Sequence, residues 1–247
     1  MRAGVLPSTV GPMERWDAAF ADESAWFAPL RPFAARFGRL SDWPSVEELN
    51  DRLAADAGVV FVESAKLRPR RRRERPIDPE SLYEVRIVSR GEVPTRPRCW
   101  HDFLNALVWA AFPASKLALT RRLRIEKEAQ AREHVWRLPN RRTPIQDALA
   151  LFDEGGVVAP VNGDVAGEPV IFGHAVYEHL VSGRAPRVTN LRVTVADLPA
   201  ARADLDAALA AELGSPGIWP LGQRPPGVTL DTIRAACHEL TRDPRFC

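Results

Sequence analysis

Three short stretches of the chain combine residue types that carry out acid–base or metal chemistry. In WHDFLNALVW, residues 100 to 109, His101 and Asn105 stand four apart and share one face of a helix, with Asp102 beside them. At a helix N-terminus the dipole disfavours imidazolium, which keeps His101 neutral and available as a base or metal ligand. In LFDEGG, residues 151 to 156, Asp153 and Glu154 fall where a helix ends. Negative charge there meets the negative end of the dipole, so a cation, an arginine such as Arg141 or Arg142, or a metal is expected to compensate. Asp147, seven residues before Glu154, projects from the same side of that helix. In FGHAVYEHL, residues 172 to 180, His174 and Glu178 are four apart, a spacing that chelates a metal, while His179 points elsewhere.

Imidazole and carboxylate ligands suit zinc, manganese or iron, and a site with one open position lowers the pKa of bound water toward neutrality. The chemistry expected is that of a metal-dependent hydrolase acting on a small molecule. His101, Asp153 and His174 are then the ligands, Glu154 the base, and Asp102 and Asn105 further catalytic groups. The bland alternative makes each residue structural, with Asp102 complementing the dipole, His101 bonding a backbone group and Asn105 tethering a loop. Three ligands with bonds of about 2 Å cannot share an ion if they lie beyond about 10 Å of each other, so proximity separates the two readings.

The elements that must position these residues are short and punctuated by proline and glycine, with no repeat of fixed period. Ser45 and Glu48 have capping-box spacing and open a helix, after which Val59 to Val62 read as a buried strand. Trp100, Phe103, Leu104, Leu107, Val108 and Ala111 recur at helical spacing up to Pro113, predicting a mostly buried helix. A second helix runs from Ser115 through the charged stretch Arg121 to Arg132, whose alternating signs mark a solvated face. Thr143, Pro144 and Gln146 start a third that stops at Gly155–Gly156. Strands are expected at Val157–Val158, at Val170 to Phe172 and at Leu191 to Val195, with a turn at Gly173 and a short helix from His174 to Leu180. Helices from Pro199 to Leu213 and from Thr229 to Leu240 follow. The expectation is an α+β fold, mostly helical with a small sheet, in one globular unit spanning residues 1 to 247.

At 45% hydrophobic and 27% charged residues the composition is that of a folded domain, which excludes wholesale disorder. The longest apolar stretch, Ala106 to Phe112, is too short to cross a bilayer, and no signal-peptide pattern opens the chain. A cytoplasmic protein with no membrane partner is expected. Cys99, Cys237 and Cys247 are too few and too scattered for a disulfide framework or a zinc knuckle, so free thiols are expected. Neither a phosphate-binding glycine loop nor a GxSxG elbow is present.

Net charge is +2, yet residues 68 to 75 hold six arginines and one glutamate, leaving the rest of the chain at −3. The basicity is therefore local. Arg70, Arg71, Arg72 and Arg73 are phosphate-contact candidates, so the alternative to an enzyme is a noncatalytic binding protein that engages nucleic acid or another polyanion. No aromatic residue interleaves the run, so single-strand stacking has no support. On that alternative, affinity for duplex DNA falls with salt at a log–log slope of about −0.9 per phosphate contact. Replacing Arg70 to Arg73 with glutamine then flattens the slope in a titration by fluorescence anisotropy. Absence of binding by the native chain at low salt removes the alternative.

Taken together, YEVRIVSRGEVPTRPRCWHDFLNALVWAAFPASK (83–116), DALALFDEGGVV (147–158) and FGHAVYEH (172–179) resemble a bacterial family, domain of unknown function 3025. The family pattern falls on Arg86, Gly91, Arg96, Trp100, His101, Asp102, Asn105, Trp109, Lys116, Asp147, Asp153, Glu154 and His174. The resemblance covers residues 83 to 180, the family-like core, and adds Arg96 and Lys116 to the polar-cluster candidates, which already include Asp147 and Glu178 from their helical spacing. It implies membership and no activity. The chain departs from the pattern at Cys99 and at Thr120, where asparagine is usual, which speaks against a cysteine nucleophile and against any role for Thr120.

Overall fold

The structure is a computed structural model that describes residues 15–64, 82–133, 142–198, 200–215 and 227–235. It is α+β, as expected: helices dominate and the strands form two small sheets. Arg31–Ala34 (α1) and two short 3₁₀ turns, Phe20–Asp22 and Ala25–Phe27, begin the described chain. Val46–Ala57 (α2) opens on a complete capping box, in which Ser45 Oγ accepts from the Glu48 N–H while the Glu48 carboxylate accepts from the Ser45 N–H. Val60–Glu63 (β1), Tyr83–Arg90 (α3) and Glu92–Thr95 (β2) follow, and β1 and β2 pair in parallel with Phe61 opposite Val93. The strand expected to be buried is only half so: Phe61 points into the core, whereas Val60 is 50% exposed at the edge of a two-stranded sheet.

Trp100–Ala111 (α4) is the buried helix that the apolar spacing predicted. It packs on α1 and α2, and its first residue enters a cluster of rings. Trp100 stacks on Trp16 with centroids 5.4 Å apart, and Trp43 and Phe20 meet Trp100 edge-on. Pro113–Glu133 (α5) leaves α4 at an angle of 112°. The junction falls where Pro113 lacks the N–H that would continue the helix. The freed N-terminal groups of α5 are bound by the carboxylate of Asp206, which accepts from the Ala114 and Ser115 N–H groups and the Ser115 hydroxyl. The charged stretch of α5 carries the i,i+4 pairs Arg122–Glu126 and Arg124–Glu128, while Lys127 reaches across to Glu84 of α3.

Pro144–Gly155 (α6) starts on the second capping box, formed by Thr143 and Gln146. Gly156–Asn162 (β3), Val165–Ala166 (β4), Val170–Ile171 (β5), His174–Val181 (α7) and Arg187–Thr194 (β6) build the larger sheet. Its order is β4-β3-β6-β7, with β5 also on β3; α7 makes the crossover between the parallel strands β3 and β6. Arg202–Gly214 (α8) packs along α5, and Gly227–Thr229 (β7) lies antiparallel to β6. Thr229, expected to open the last helix, instead ends β7 and caps the helical residues that follow, its hydroxyl accepting from the Thr232 N–H. Among the described residues no single helix is long and apolar enough to cross a membrane.

Candidate functional site

The site is assembled where the start of α4, the end of α6 and the start of α7 meet. Gly173 brings the last two together: its N–H and that of Phe172 both donate to Gly156 C=O, and a Cβ at Gly173 would lie 2.4 Å from Glu154 O and from Gly156 N. Only glycine permits that approach, and it seats His174 directly beside Asp153.

His174 is buried, and its Nδ1 lies 2.8 Å from the Asp153 carbonyl oxygen, which can only accept, so Nδ1 carries the proton. Burial pushes the ring's pKa down to about 3, partly opposed by Asp153 and reinforced by Lys116 and His101. The ring is therefore neutral and its Nε2 is a bare lone pair. That Nε2 sits 3.0 Å from His101 Nε2, with the rings steeply inclined at 79°. His101 must donate there. Its other nitrogen, Nδ1, lies 2.9 Å from Glu178 Oε2. The chain of contacts thus needs one proton more than two neutral rings and a carboxylate supply. His101 is thus placed between a lone pair on one ring nitrogen and a carboxylate on the other.

His174 and Glu178 do share a face of α7, as their spacing predicts, but together they bracket His101. Asp153 is divided between two partners. Its carbonyl holds His174, and its carboxylate lies 2.5 Å from the ammonium of Lys116, which also faces the rings of Trp109 and Phe172. Burial would raise the Asp153 carboxyl, but Lys116, with His174 and His101 behind it, holds it below the ordinary carboxylate range. The compensating cation expected at the end of α6 is therefore Lys116. Arg141 and the run Arg70 to Arg73, like Cys237 and Cys247, lie outside the described residues.

The expected ligand set of His101, Asp153 and His174 does not close on one point. The Asp153 carboxylate approaches His174 only at 4.0 Å and on the Nδ1 side, the ring edge opposite the His101 contact. Among the described residues no group of three or more His, Cys, Asp or Glu is arranged to hold a metal ion.

Arg96 fastens the mouth of the site to α4. Its backbone N–H and guanidinium make three hydrogen bonds of 2.7 to 2.9 Å with the Asp102 carboxylate. Burial would raise that carboxyl, yet the bonds from Arg96 hold it below the ordinary range. Asp102 is thereby an anchor and not a free base. The polar groups face an open cleft of about 610 Å³, walled by His101, Asn105, Glu154 and His174 on one side of the Arg96–Asp102 clasp. Ser64 and Tyr83, which the sequence did not single out, complete it. Tyr83 opens α3 and lines the cleft with Asn105, whose Oδ1 has no partner among the described residues. Asp147 does not join the cleft: it lies in the first turn of α6, about 10 Å of helix rise from Glu154. His179 lines a separate cleft of about 480 Å³ against β6, away from the two facing rings. Thr120 donates to the Lys116 carbonyl within α5, a structural bond only.

The resemblance read from the motifs holds: residues 71–166 match the family described as Protein of unknown function (DUF3025). The matched segment contains the start of α4, Lys116 and the end of α6, and stops before His174 and Glu178. No curated protein and no solved structure matches the chain.

Proposed function

We propose that the cleft is the active site of a hydrolase that works by general acid–base catalysis. The observation that carries this reading is the linked series Glu178–His101–His174–Asp153 on the wall of a polar cleft. A carboxylate on one imidazole nitrogen fixes the ring and supports its charge, the arrangement by which a histidine gives and recovers a proton. His101 is the reachable member, with its side chain 32% exposed against 6% for His174. Glu154, an exposed carboxylate in the same cleft, takes a proton from water as the water oxygen adds to the substrate's electrophilic carbon. His101 gives the leaving group the Nε2 proton that otherwise points at His174, and the proton on Glu154 returns to that nitrogen through solvent. Asn105 lines the cleft, and its Oδ1 is buried without a partner among the described residues.

A metal-assisted form of the same site is favoured by a second observation. Each ring's Nδ1 is held by an oxygen acceptor, as in metal-bound histidines, and two bonds of about 2.1 Å converge readily from Nε2 atoms this close. Zinc, manganese or iron held by His101 and His174 would supply a water of lowered pKa.

The test combines elemental analysis of protein purified without chelator with a panel of ester and amide substrates. His101→Ala and Glu154→Gln are expected to lower hydrolysis by about 10²-fold or more. Metal lost on His101→Ala or His174→Ala selects the metal-assisted form. Hydrolysis unchanged in both His101→Ala and Glu154→Gln sinks the active-site reading.

A further inference from the structure

We propose that a smaller cavity adjoining the cleft is a recess for a carboxamide group of the substrate, an inference that rests on reading the cleft as the active site. The recess has a volume of about 120 Å³ and shares Tyr83, Asp153 and Glu154 with the cleft. Its remaining wall includes Trp109, Glu84 and Lys116. Water's share of liquid volume is about 30 Å³, so the space suits a group of a few heavy atoms.

Two polar atoms on residues of that wall are buried without a partner among the described residues, Trp109 Nε1 and Glu84 Oε2. Trp109 is 1% and Glu84 6% exposed, so bulk water does not serve them. Their polarities are opposite. An indole N–H only donates, and a carboxylate oxygen only accepts. A ligand satisfying both must present an acceptor and a donor within a small planar group, which is the chemistry of a carboxamide: its oxygen accepts from Trp109 and Lys116, its N–H donates to Glu84.

Charge argues the same way. Lys116 is matched by Asp153 and Glu84 by Lys127, leaving Arg142 and Glu154 as opposite charges on the lining. A carboxylate would meet Glu84 Oε2, and an ammonium would meet the donors of Trp109 and Lys116. The balanced recess selects a neutral group over either ion.

The test is a titration of the full chain followed through its indole N–H resonances, with that of Trp109 assigned by its loss in Trp109→Phe. Acetamide is expected to shift this resonance saturably, while acetate and methylammonium, of similar size, leave it in place. Glu84→Gln, which keeps the shape and removes the charged acceptor, is expected to weaken acetamide binding about tenfold. His101→Ala should bind acetamide as the native chain does, so the recess is read out without turnover. Amide binding with no hydrolysis would retain the recess and remove the active-site reading; hydrolysis without amide binding would do the reverse. No saturable shift, or a shift with acetate as strong as that with acetamide, overturns the proposal: the first describes a recess holding water only, the second an anion subsite.

Discussion

Lys116→Met is expected to destabilise the protein by about 3–5 kcal/mol, read as a lowered urea midpoint at neutral pH. The Lys116 side chain is 3% exposed and its partner Asp153 23%, so the ammonium cannot turn to water and the carboxylate can do so only in part. What is lost is chiefly the match for the carboxylate left behind, since removing one member of a buried pair strands the other. Asp153→Asn strands the ammonium in the same way. The double variant Lys116→Met/Asp153→Asn should therefore recover most of the loss, a recovery that two independent defects would not show. Acidity gives a second handle. In the native protein the Asp153 carboxyl sits below its ordinary value of 3.8, so the pair's contribution is present above that pH and lost as pH falls through the lowered value. Without Lys116, burial dominates and the carboxyl rises, so the gap between native and variant should narrow on acidification. A Lys116→Met protein as stable as the native one would mean that the contact at 2.5 Å contributes nothing.

The second large effect belongs to His174. Its folded pKa is pushed down to about 3 from 6.5, so between those values the unfolded chain binds a proton that the folded one refuses. Stability from the neutral ring is complete above 6.5 and is lost as pH falls toward 3, at about 1.4 kcal/mol per pH unit, a total on the order of 5 kcal/mol. His174→Gln retains an N–H for the Asp153 carbonyl but cannot titrate. Urea unfolding at unit pH steps across the window should show a shallower acid limb for the variant. Parallel limbs would mean that His174 takes up its proton without leaving its buried place.

Much of this arrangement was legible because it is local. Both capping boxes form on the residues that the spacing marked, and the apolar positions of α4 are the buried ones. The i,i+4 pair His174 and Glu178 shares a face, as helix geometry requires. Partnerships were not legible, because no local rule joins His101 to Glu178 across 77 residues or Lys116 to Asp153 across 37. The dipole of α6 correctly demanded a compensating charge at Asp153, and arginines close in sequence were the natural suppliers. The lysine that supplies it arrives from α5 through the sharp turn at Pro113, which periodicity cannot foresee. The strand β2 escaped notice because EVPT is short and contains proline, which suits only an edge position such as this one. Tyr83 gave no signal: alone it is one tyrosine opening an amphipathic helix, and only the packing of α3 against α5 and β2 makes it a wall.

The stacked and edge-on indoles at the start of α4 have an optical consequence. Trp16, Trp43 and Trp100 lie with ring centroids 4.9 to 5.4 Å apart, close enough for their electronic transitions to mix. Their near-ultraviolet dichroism is then a property of the trio, sensitive to small rotations of any one ring, and excitation absorbed by one is shared by the others. Trp100 is the residue immediately before His101. A change in how the helix presents that histidine, whether by protonation, ion binding or substrate, is therefore transmitted to a chromophore that no label need supply.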